Sequence, residues 1–488
     1  MSPDYIGLMH ALMPEMALVL GALIVLGFDL ITGQRRTAAE RLRAAVTLGG
    51  FAVVVAAGGA MAAGFGGPVF GGVLTLDTIG LFTRLGVLLL ALLSLTLAPG
   101  TSKLRNPAEF VAVILFATVG FTLMAVAQQL LLVFLAIELA SLSLYILAGF
   151  DKTRPESAEA ALKYFLFGGM AAAFMLFGFS LLYGLTGSIE LHLMSESLAA
   201  GTSGPLLKVA LVMVLVAFGF KAAAAPFHLW APDVYEGAPP ASTALIASAS
   251  KFAGVTVFLR LLWPGLGTQA GSLVEPLHQV GWLNVVALIA FASLLLGNLV
   301  ALAQSNVRRL LAYSAIAHAG VMLIGVMVTG VAGEGPLMYY MLTYGLATVG
   351  AFGVIGIVDR AGGCHKISDL AGLHKRSPLL AGMLMIYLLS LAGVPPLAGF
   401  FGKFAIFAEA LSIGGATSPV GALSLLAIGL SAVALYYYLL VLKAALVTAP
   451  KAKDRPIQVS LDVTVPLVVA AVLLIGLGLW PSMILNLF

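Results

Sequence analysis

Four ionisable residues lie deep inside long apolar stretches of the chain: Glu138, Lys221, Lys251 and Lys403. In a membrane these charges would sit near the middle of the bilayer. A charged side chain there costs roughly 2.5–3.5 kcal/mol on insertion scales, so such residues usually belong to an ion or proton pathway. His318 lies inside another apolar stretch, and because an unperturbed imidazole titrates near neutral pH, it is a fifth candidate for proton transfer.

The elements that must position these groups are membrane helices. Hydrophobic residues make up 61% of the 488 residues and charged residues only 9%. A helical span needs about 20 apolar residues, and fourteen such segments follow one another with little left for a soluble domain. We therefore expect an all-α polytopic membrane protein. The predicted spans are 11–32, 44–64, 79–98, 108–127, 129–150, 160–186, 205–231, 240–262, 279–304, 308–330, 335–359, 378–412, 418–444 and 464–487.

The charge of the loops predicts the orientation. Seventeen of the 25 Lys and Arg residues fall in alternate loops on one side, and basic loops face the cytoplasm. Both termini are therefore expected on the outer, periplasmic side. Lys208 and Arg260 lie near span ends on that side, where long side chains reach the interface. The N-terminus has no positively charged segment and no cleavage site before the first span, so we expect it to be retained.

Two of the predicted spans contain helix breakers. Span 7 reads LVMVLVAFGFKAAAAPFHLWAPDVYEGAPP, and Pro226 should unwind it near Ala222–Pro226. Span 12 contains SLAGVPPLAGFFGKF, whose prolines and glycines exclude a continuous α-helix. Interrupted helices at matching positions of two halves are a sequence signature of a transport site.

The two interrupted spans match in position. Span 7 is the fourth of spans 4–8, and span 12 is the fourth of spans 9–13. Because five is odd, two such sets in series have opposite orientations in the membrane, which predicts an inverted repeat. The predicted organisation is residues 1–107 for helices 1–3, 108–262 for the first repeat, 279–444 for the second and 464–488 for helix 14.

Glu138 and Lys221 are the first candidates for proton exchange. Glu138 lies about nine residues, or ~14 Å, into its span, too deep to reach either interface. A lysine and a carboxyl buried together shift each other's protonation, so the two would form a tunable donor and acceptor if spans 5 and 7 touch.

A structural role is the alternative for every buried ionisable group. Such a group can hold two helices together by hydrogen bonds, and this alternative is stronger for His318 and for His228, which follows the first break. Arg84 is expected to reach the interface or pair with Asp77, and Lys443 to act as an interfacial anchor.

The chemistry that these residues favour is proton transfer along a line through Glu138, Lys221, Lys251, His318 and Lys403, with water entering at the two breaks. Too few carboxylates lie within the spans to hold a metal ion. The single cysteine, Cys364, cannot hold an iron–sulfur cluster. There is no phosphate-binding loop and no basic patch suited to nucleic acid. Any redox chemistry would belong to another subunit.

Four motifs together resemble the antiporter-like membrane subunits of respiratory complex I: KAAAAPFHLWAPDVYEGAP, SASKFAG, YSAIAHAG and SLAGVPPLAGFFGKF. The resemblance covers essentially the whole chain. It implies fourteen helices with two inverted five-helix repeats. It also implies that Glu138 is the glutamate of span 5, Lys221 the lysine of span 7, Lys251 the central lysine and Lys403 the end of the proton path.

The resemblance further implies a function and a setting. The chain would translocate protons as part of a proton-pumping NADH:quinone oxidoreductase in a bacterial inner membrane, surrounded by lipid and by the other membrane and peripheral subunits. NADH, FMN, iron–sulfur clusters and quinone would bind to those other subunits, and this chain would carry no cofactor.

Within the family, the chain resembles the N-type subunit. Its opening LMPEMALVLGALIVLGFDL is similar to that branch, Lys403 stands where the M-type has glutamate, and no lateral helix follows span 14. Three alternatives remain: the large subunit of a multisubunit cation/proton antiporter, a membrane-arm subunit of a hydrogenase-type or formate-oxidising complex, and a purely structural membrane spacer.

Overall fold

The computed structural model describes residues 5–33, 36–101, 104–201, 204–274, 279–450 and 455–488. In these ranges thirteen helices are long and apolar enough to cross a membrane. The remaining predicted span, 12, consists of two shorter helices on either side of its break. The prediction of an all-α membrane protein with about fourteen spans is therefore confirmed. Four of the basic loop residues that set the orientation lie outside the described ranges: Arg35, Lys103, Lys451 and Lys453.

The first three spans form an N-terminal group that packs against both later sets of helices. A capping box between Thr37 and Glu40 fixes the start of the second span. A short antiparallel hairpin, which the sequence analysis did not predict, precedes the third span. The elements are α1 (Tyr5–Ala11), α2 (Met13–Thr32), α3 (Ala38–Ala63), β1 (Gly67–Val69), β2 (Leu74–Leu76) and α4 (Thr78–Thr101).

Spans 4–8 follow as the first five-span set. A short helix, α8, occupies part of the predicted loop 187–204. The elements are α5 (Pro107–Val126), α6 (Leu130–Ala148), α7 (Pro155–Thr186), α8 (Leu191–Ala199), α9 (Pro205–Ala222), α10 (Trp230–Gly237), α11 (Pro240–Ala247) and α12 (Ala249–Arg260), followed by a π-helical turn at Leu261–Gly265 and a 3₁₀ turn at Gly267–Gln269.

Spans 9–13 form the second set, and one further span follows it. That last span is shorter than predicted, because it ends at Leu479. The elements are α13 (Trp282–Leu302), α14 (Val307–Ala332), α15 (Gly335–Gly362), a 3₁₀ turn (Ile367–Leu370), α16 (Leu373–Arg376), α17 (Pro378–Ala392), α18 (Ala398–Gly414), α19 (Pro419–Leu446), α20 (Leu461–Leu479) and α21 (Ser482–Leu485).

Both predicted breaks are present. The first separates α9 from α10: α9 ends at Ala222, and Ala223 has a left-handed φ of 56°. The second separates α17 from α18: Gly393, with φ 85°, ends α17 after Ala392. Glycine adopts that conformation without a steric penalty.

A third break, within span 8, was not predicted. Ser248, at φ −115° and ψ −82°, separates α11 from α12 three residues before Lys251. Span 8 has no proline or glycine at this point, so its sequence resembles that of a continuous helix. The apolar windows of span 8 and of α15 are wholly buried, which places these two spans at the centre of the protein.

Two predictions about arginines were wrong. Arg84 does not pair with Asp77 or reach an interface: it is buried and donates to the Glu15 carboxylate at 2.9 Å. Arg260, expected to reach the interface, is also buried, and it forms the ion pair with Asp77. Both pairs join residues more than 60 positions apart. Such pairings cannot be predicted when each span is analysed separately. The Asp77–Arg260 pair ties the loop before α4 to the helix that carries Lys251.

Candidate functional site

At the first break, Lys221 is buried at the end of α9 and points toward α6. Its Nζ donates to Ser141 Oγ at 3.1 Å. Ser141 lies one turn after Glu138, and all three residues line one cavity of about 10 Å³, close to the space that one water molecule needs. Glu138 and Lys221 form no direct ion pair within 4.0 Å, since Lys221 is absent from the ion pairs of the described residues. Glu138 is only partly buried, so one side of it faces outward from the chain.

Lys251 lies at the centre of the protein, on α12. Its buried Nζ donates to the backbone carbonyl of Ala315 on α14 at 2.5 Å. Gly254, one turn further along α12, lies against Lys221: a Cβ at Gly254 would be 3.1 Å from Lys221 Cγ. The helix that carries Lys251 therefore also supports the side chain of Lys221.

His318 is held by two tyrosines. Tyr340 Oη lies 2.6 Å from Nδ1, and Tyr438 Oη lies 3.2 Å from Nε2. The Tyr344 ring is 4.9 Å from the imidazole ring, centroid to centroid, and 5.8 Å from Lys251 Nζ. Tyr344 thus stands between Lys251 and His318, and a cation within about 6 Å of an aromatic ring is attracted to it.

Lys403 completes the line at the second break. Its Nζ donates to the carbonyls of Leu391 and Ala392 at 2.9 and 3.2 Å. These carbonyls have no helical partner because α17 ends there. Lys403 and His318 line one cavity of about 20 Å³ together with Asn298 and Tyr437. Two bases from different helices therefore share a polar space with room for about one water molecule.

His228 lies apart from the other predicted site residues. It sits half-buried in the segment between α9 and α10, with its ring 6.5 Å from that of Tyr313. It borders neither the cavity beside Lys221 nor either of two cavities beside Lys403.

The sequence analysis missed the tyrosines of this site. Tyr340, Tyr344 and Tyr438 contact His318 but lie on α15 and α19, far from it in sequence. The runs MYYMLTYG and LYYYLL were the available signal, since tyrosines clustered within a span bring hydroxyls into the bilayer. Two hydroxyls that precede Lys251 in span 8, those of Thr243 and Ser248, donate to backbone carbonyls of their own segment.

A charged network lies at one end of the bundle, where α7, α10 and α14 meet. Asp233 accepts from Lys163 Nζ at 2.6 Å and from Arg309 Nη1 at 2.7 Å, and Arg309 also pairs with Glu236 at 3.0 Å. Partial burial opposes ionisation of Asp233, but the hydrogen bonds from Lys163 and Arg309 outweigh it and hold the pKa of Asp233 below its usual value. The network fixes α10, directly after the first break, to the helix that carries His318.

Potential metal ligands are dispersed in the part of the chain that the structure describes. Burial raises the pKa of the Cys364 thiol to about 12, which makes it a poor nucleophile and metal ligand. Within the described ranges, no three His, Cys, Asp or Glu side chains come together as a metal site would require.

Comparison with known proteins identifies the family. Residues 127–431 match the family model of the NADH:quinone oxidoreductase/Mrp antiporter membrane subunits. The chain is also 44% identical to NADH-quinone oxidoreductase subunit N 2 of Acidobacterium capsulatum, over 99% of each chain. The chain belongs to the NADH-quinone oxidoreductase subunit N family. The subunit N of Nitrosomonas europaea is 36% identical over 97% of this chain and 96% of its own length, and the resemblance drawn from the motifs is confirmed.

Solved structures agree with this membership. A chain of respiratory complex I from Thermus thermophilus is 34% identical and superposes with a TM-score of 0.78, covering 97% of this chain and 99% of the other. A chain of the Mrp complex from Dietzia sp. has a TM-score of 0.81 at 21% identity, covering 100% of this chain and 96% of its own. At that identity the likeness shows a common fold.

Proposed function

We propose that this chain moves protons across a bacterial membrane as a membrane-arm subunit of an NADH:quinone oxidoreductase. Its subunit N relatives are named for that enzyme. The observation that supports proton transfer most strongly is the arrangement of Lys251, His318 and Lys403. Tyr344 lies between the first two, and a small polar cavity joins the last two.

The proposed path has two half-units, 108–262 and 279–444. Glu138 and Lys221 serve the first, His318 and Lys403 the second, and Lys251 lies between them. A proton moves along such a line when the groups are within reach of each other or of one bridging water. His228 has no place on this line and is proposed, at most, to stabilise water at the first break.

The setting follows from the same proposal. Both termini lie on the periplasmic side, as the basic loops indicate. NADH, FMN, iron–sulfur clusters and quinone bind to other subunits, and the free energy of quinone reduction there drives the protons through this chain. The partners of this chain are those subunits and the surrounding lipid.

The first experiment asks which assembly the chain belongs to. The C-terminus is tagged, membranes are extracted in mild detergent, and a native gel is stained for NADH dehydrogenase activity. Migration in a large NADH-active assembly is the expected result. A smaller band without that activity contradicts the proposal and favours a cation/proton antiporter complex.

The second experiment tests the path itself. Lys221→Ala and Glu138→Ala should each reduce proton pumping by the whole assembly, while the peripheral arm still oxidises NADH. Unchanged pumping in both variants, in a normally assembled complex, would contradict a role for the first half-unit.

A further inference from the structure

The hydroxyl of Ser141 is the side-chain acceptor that the structure gives to Lys221. Ser141 is 3% exposed on α6, and its Oγ lies 3.1 Å from Lys221 Nζ on α9. Other buried serines of the spans donate to a carbonyl of their own helix. Ser143, two residues further along α6, does so to Leu139 O at 2.8 Å. Ser141 instead joins α6 to the broken span, at the residue that carries the charge.

The position of Ser141 sets the place of the ammonium relative to Glu138. The two residues are three positions apart on α6, so they lie on the same face, ~4.5 Å from each other along the helix axis. Both line the cavity of about 10 Å³ that Lys221 also lines. Among the described residues, the ammonium therefore bonds to the hydroxyl, while the carboxylate acts on it only through its charge.

Tyr145 is held beside Ser141 by the neighbouring helix α7. Its hydroxyl interacts with Ser141, one turn away on α6. A Cβ at Gly168 of α7 would overlap Tyr145 Oη, so only glycine leaves room for that hydroxyl. The Tyr164 ring packs edge-on against the Tyr145 ring, with centroids 4.8 Å apart. Close packing with α7 thus fixes the face of α6 that meets Lys221.

A hydroxyl and a carboxylate hold a lysine differently. A carboxylate in direct contact strongly favours the charged form of the lysine. A serine hydroxyl accepts the same hydrogen bond without bringing a charge. An ammonium held by Ser141 can therefore release its proton more readily than one that is paired with Glu138.

We propose that Ser141 is a positioning residue for Lys221. It holds the ammonium one helical turn away from Glu138 and keeps the two groups from closing a direct ion pair, while Tyr145 fixes the hydroxyl from the other side. Ser141 neither gains nor loses a proton in this role. The effect on pumping rests on the proposed function, whereas the place of the Lys221 ammonium does not.

A direct test compares cryo-electron microscopy maps of the whole assembly with the parent chain and with Ser141→Ala. In the parent, Lys221 Nζ should lie within hydrogen-bond distance of Ser141 Oγ. In the variant, it should move to within about 4 Å of the Glu138 carboxylate. An ammonium that keeps its place in the variant, or that already contacts Glu138 in the parent, would overturn the proposal.

The functional test compares two serines of α6. Ser141→Ala removes the acceptor of Lys221, and Ser141→Thr keeps a hydroxyl at the same place. Ser143→Ala is the matched control, because its hydroxyl bonds to a carbonyl of its own helix. Proton pumping by the whole assembly should fall roughly twofold or more in Ser141→Ala. It should be retained in Ser141→Thr and stay unchanged in Ser143→Ala.

Few titratable groups share the surroundings of Lys221 in the described part of the chain. Glu138 and Tyr145, both on α6, line its cavity, and a tyrosine ordinarily titrates only near pH 10. The helices on the other sides present uncharged residues, which are Gly168, Ala171, Ala172 and Met175 of α7 and Gly254 of α12. Glu138 is therefore the group that changes the behaviour of Lys221 once the hydroxyl is removed.

The pH profile of pumping separates positioning from a general loosening of the structure. In Ser141→Ala the ammonium pairs with Glu138 and keeps its proton to higher pH, so the alkaline limb of the profile should move to higher pH. Tyr145→Phe should move it in the same direction by a smaller amount. An alkaline limb that stays in place in Ser141→Ala, or that moves equally in Ser143→Ala, would contradict the positioning role.

The outcomes separate this inference from the proposed function. If Lys221→Ala lowers pumping while Ser141→Ala and Tyr145→Phe keep the rate and the pH profile of the parent, the positioning role is wrong and the proposed function stands. If Lys221→Ala pumps normally, the proposed function fails, and the maps decide whether Ser141 holds Lys221.

Discussion

Each five-helix set has one ionisable residue in its second span and a lysine in its broken span. These residues are Glu138 and Lys221 in the first set, and His318 and Lys403 in the second. Glu138 is partly exposed on the outside of the chain. His318 is buried and held by Tyr340 and Tyr438. The first pair is thus partly exposed at the surface of the chain, whereas His318 of the second pair is enclosed by tyrosines of its own chain.

The two breaks differ in a related way. At the first, neutral groups satisfy the freed backbone: Trp230 Nε1 donates to Phe220 O, and Ser293 Oγ accepts from Ala225 N. At the second, the Lys403 ammonium itself bonds to the freed carbonyls. The structure of the first break is therefore independent of its lysine, and that of the second depends on it.

Replacing each lysine by alanine should expose this difference most strongly. Lys403→Ala leaves two buried carbonyls without a donor and should destabilise the protein by about 1–3 kcal/mol. Lys221→Ala loses one hydrogen bond to Ser141 and should change stability by less than about 1 kcal/mol. Thermal unfolding of the purified assembly measures both, with the exposed Lys443→Ala as the control. Equal losses of thermal stability in the two variants would contradict the inference that only the second break depends on its lysine.

The next largest effect on stability and pumping is expected when alanine replaces the glycine that packs against each lysine. These glycines are Gly393, beside Lys403, and Gly254, beside Lys221. A Cβ at Gly393 would lie 3.2 Å from Lys403 Cδ, at a φ of 85°, and left-handed backbone costs roughly 1–2 kcal/mol for alanine. At Gly254 the Cβ would only press on Lys221 Cγ at 3.1 Å, without backbone strain.

Proton pumping and thermal stability should therefore fall more in Gly393→Ala than in Gly254→Ala. Gly429→Ala is the control, because a Cβ there meets nothing within 4 Å. The opposite order, or an effect of the control as large as the others, would contradict the proposed packing of the lysines on these glycines.

The tyrosines around His318 should matter less than the lysines. Tyr340→Phe and Tyr438→Phe each remove one hydrogen bond to the imidazole and should slow pumping roughly threefold to tenfold. A positioning role also predicts a changed pH profile of pumping, which simple loosening of the structure would not give. Tyr436→Phe, at an exposed position of α19, should leave both the rate of pumping and its pH profile unchanged. A pH profile identical to that of the parent protein in both buried variants would rule out this role.

The smallest effect is expected at the charged network. Because the folded-state pKa of Asp233 is lowered from 3.8, its ion pairs add stability above that value, and the added stability is lost as pH falls through the folded pKa. Thermal stability should therefore decline below about pH 4, and Asp233→Asn should be less stable near neutral pH but decline less in acid. An acid response unchanged by the substitution would exclude this contribution.

The sequence was sufficient for the features that depend on local composition. Span number, the breaks at Pro226 and Gly393, and the depth of the lysines all follow from apolar runs and helix breakers. The sequence was insufficient for the features that depend on packing between distant parts of the chain. The partners of Arg84 and Arg260 come from distant spans, the break at Ser248 has no local signal, and the tyrosines around His318 become neighbours only after the helices pack.

Lys251 joins the two halves, so its replacement tests the account most directly. Lys251→Met keeps the length of the side chain and removes the amine that we propose as a proton carrier. The measurement is the number of protons moved per NADH oxidised by the whole assembly in proteoliposomes. The account predicts a clear fall in that number, with assembly intact and the peripheral arm still oxidising NADH. A ratio equal to that of the parent protein would contradict a continuous proton path through this chain.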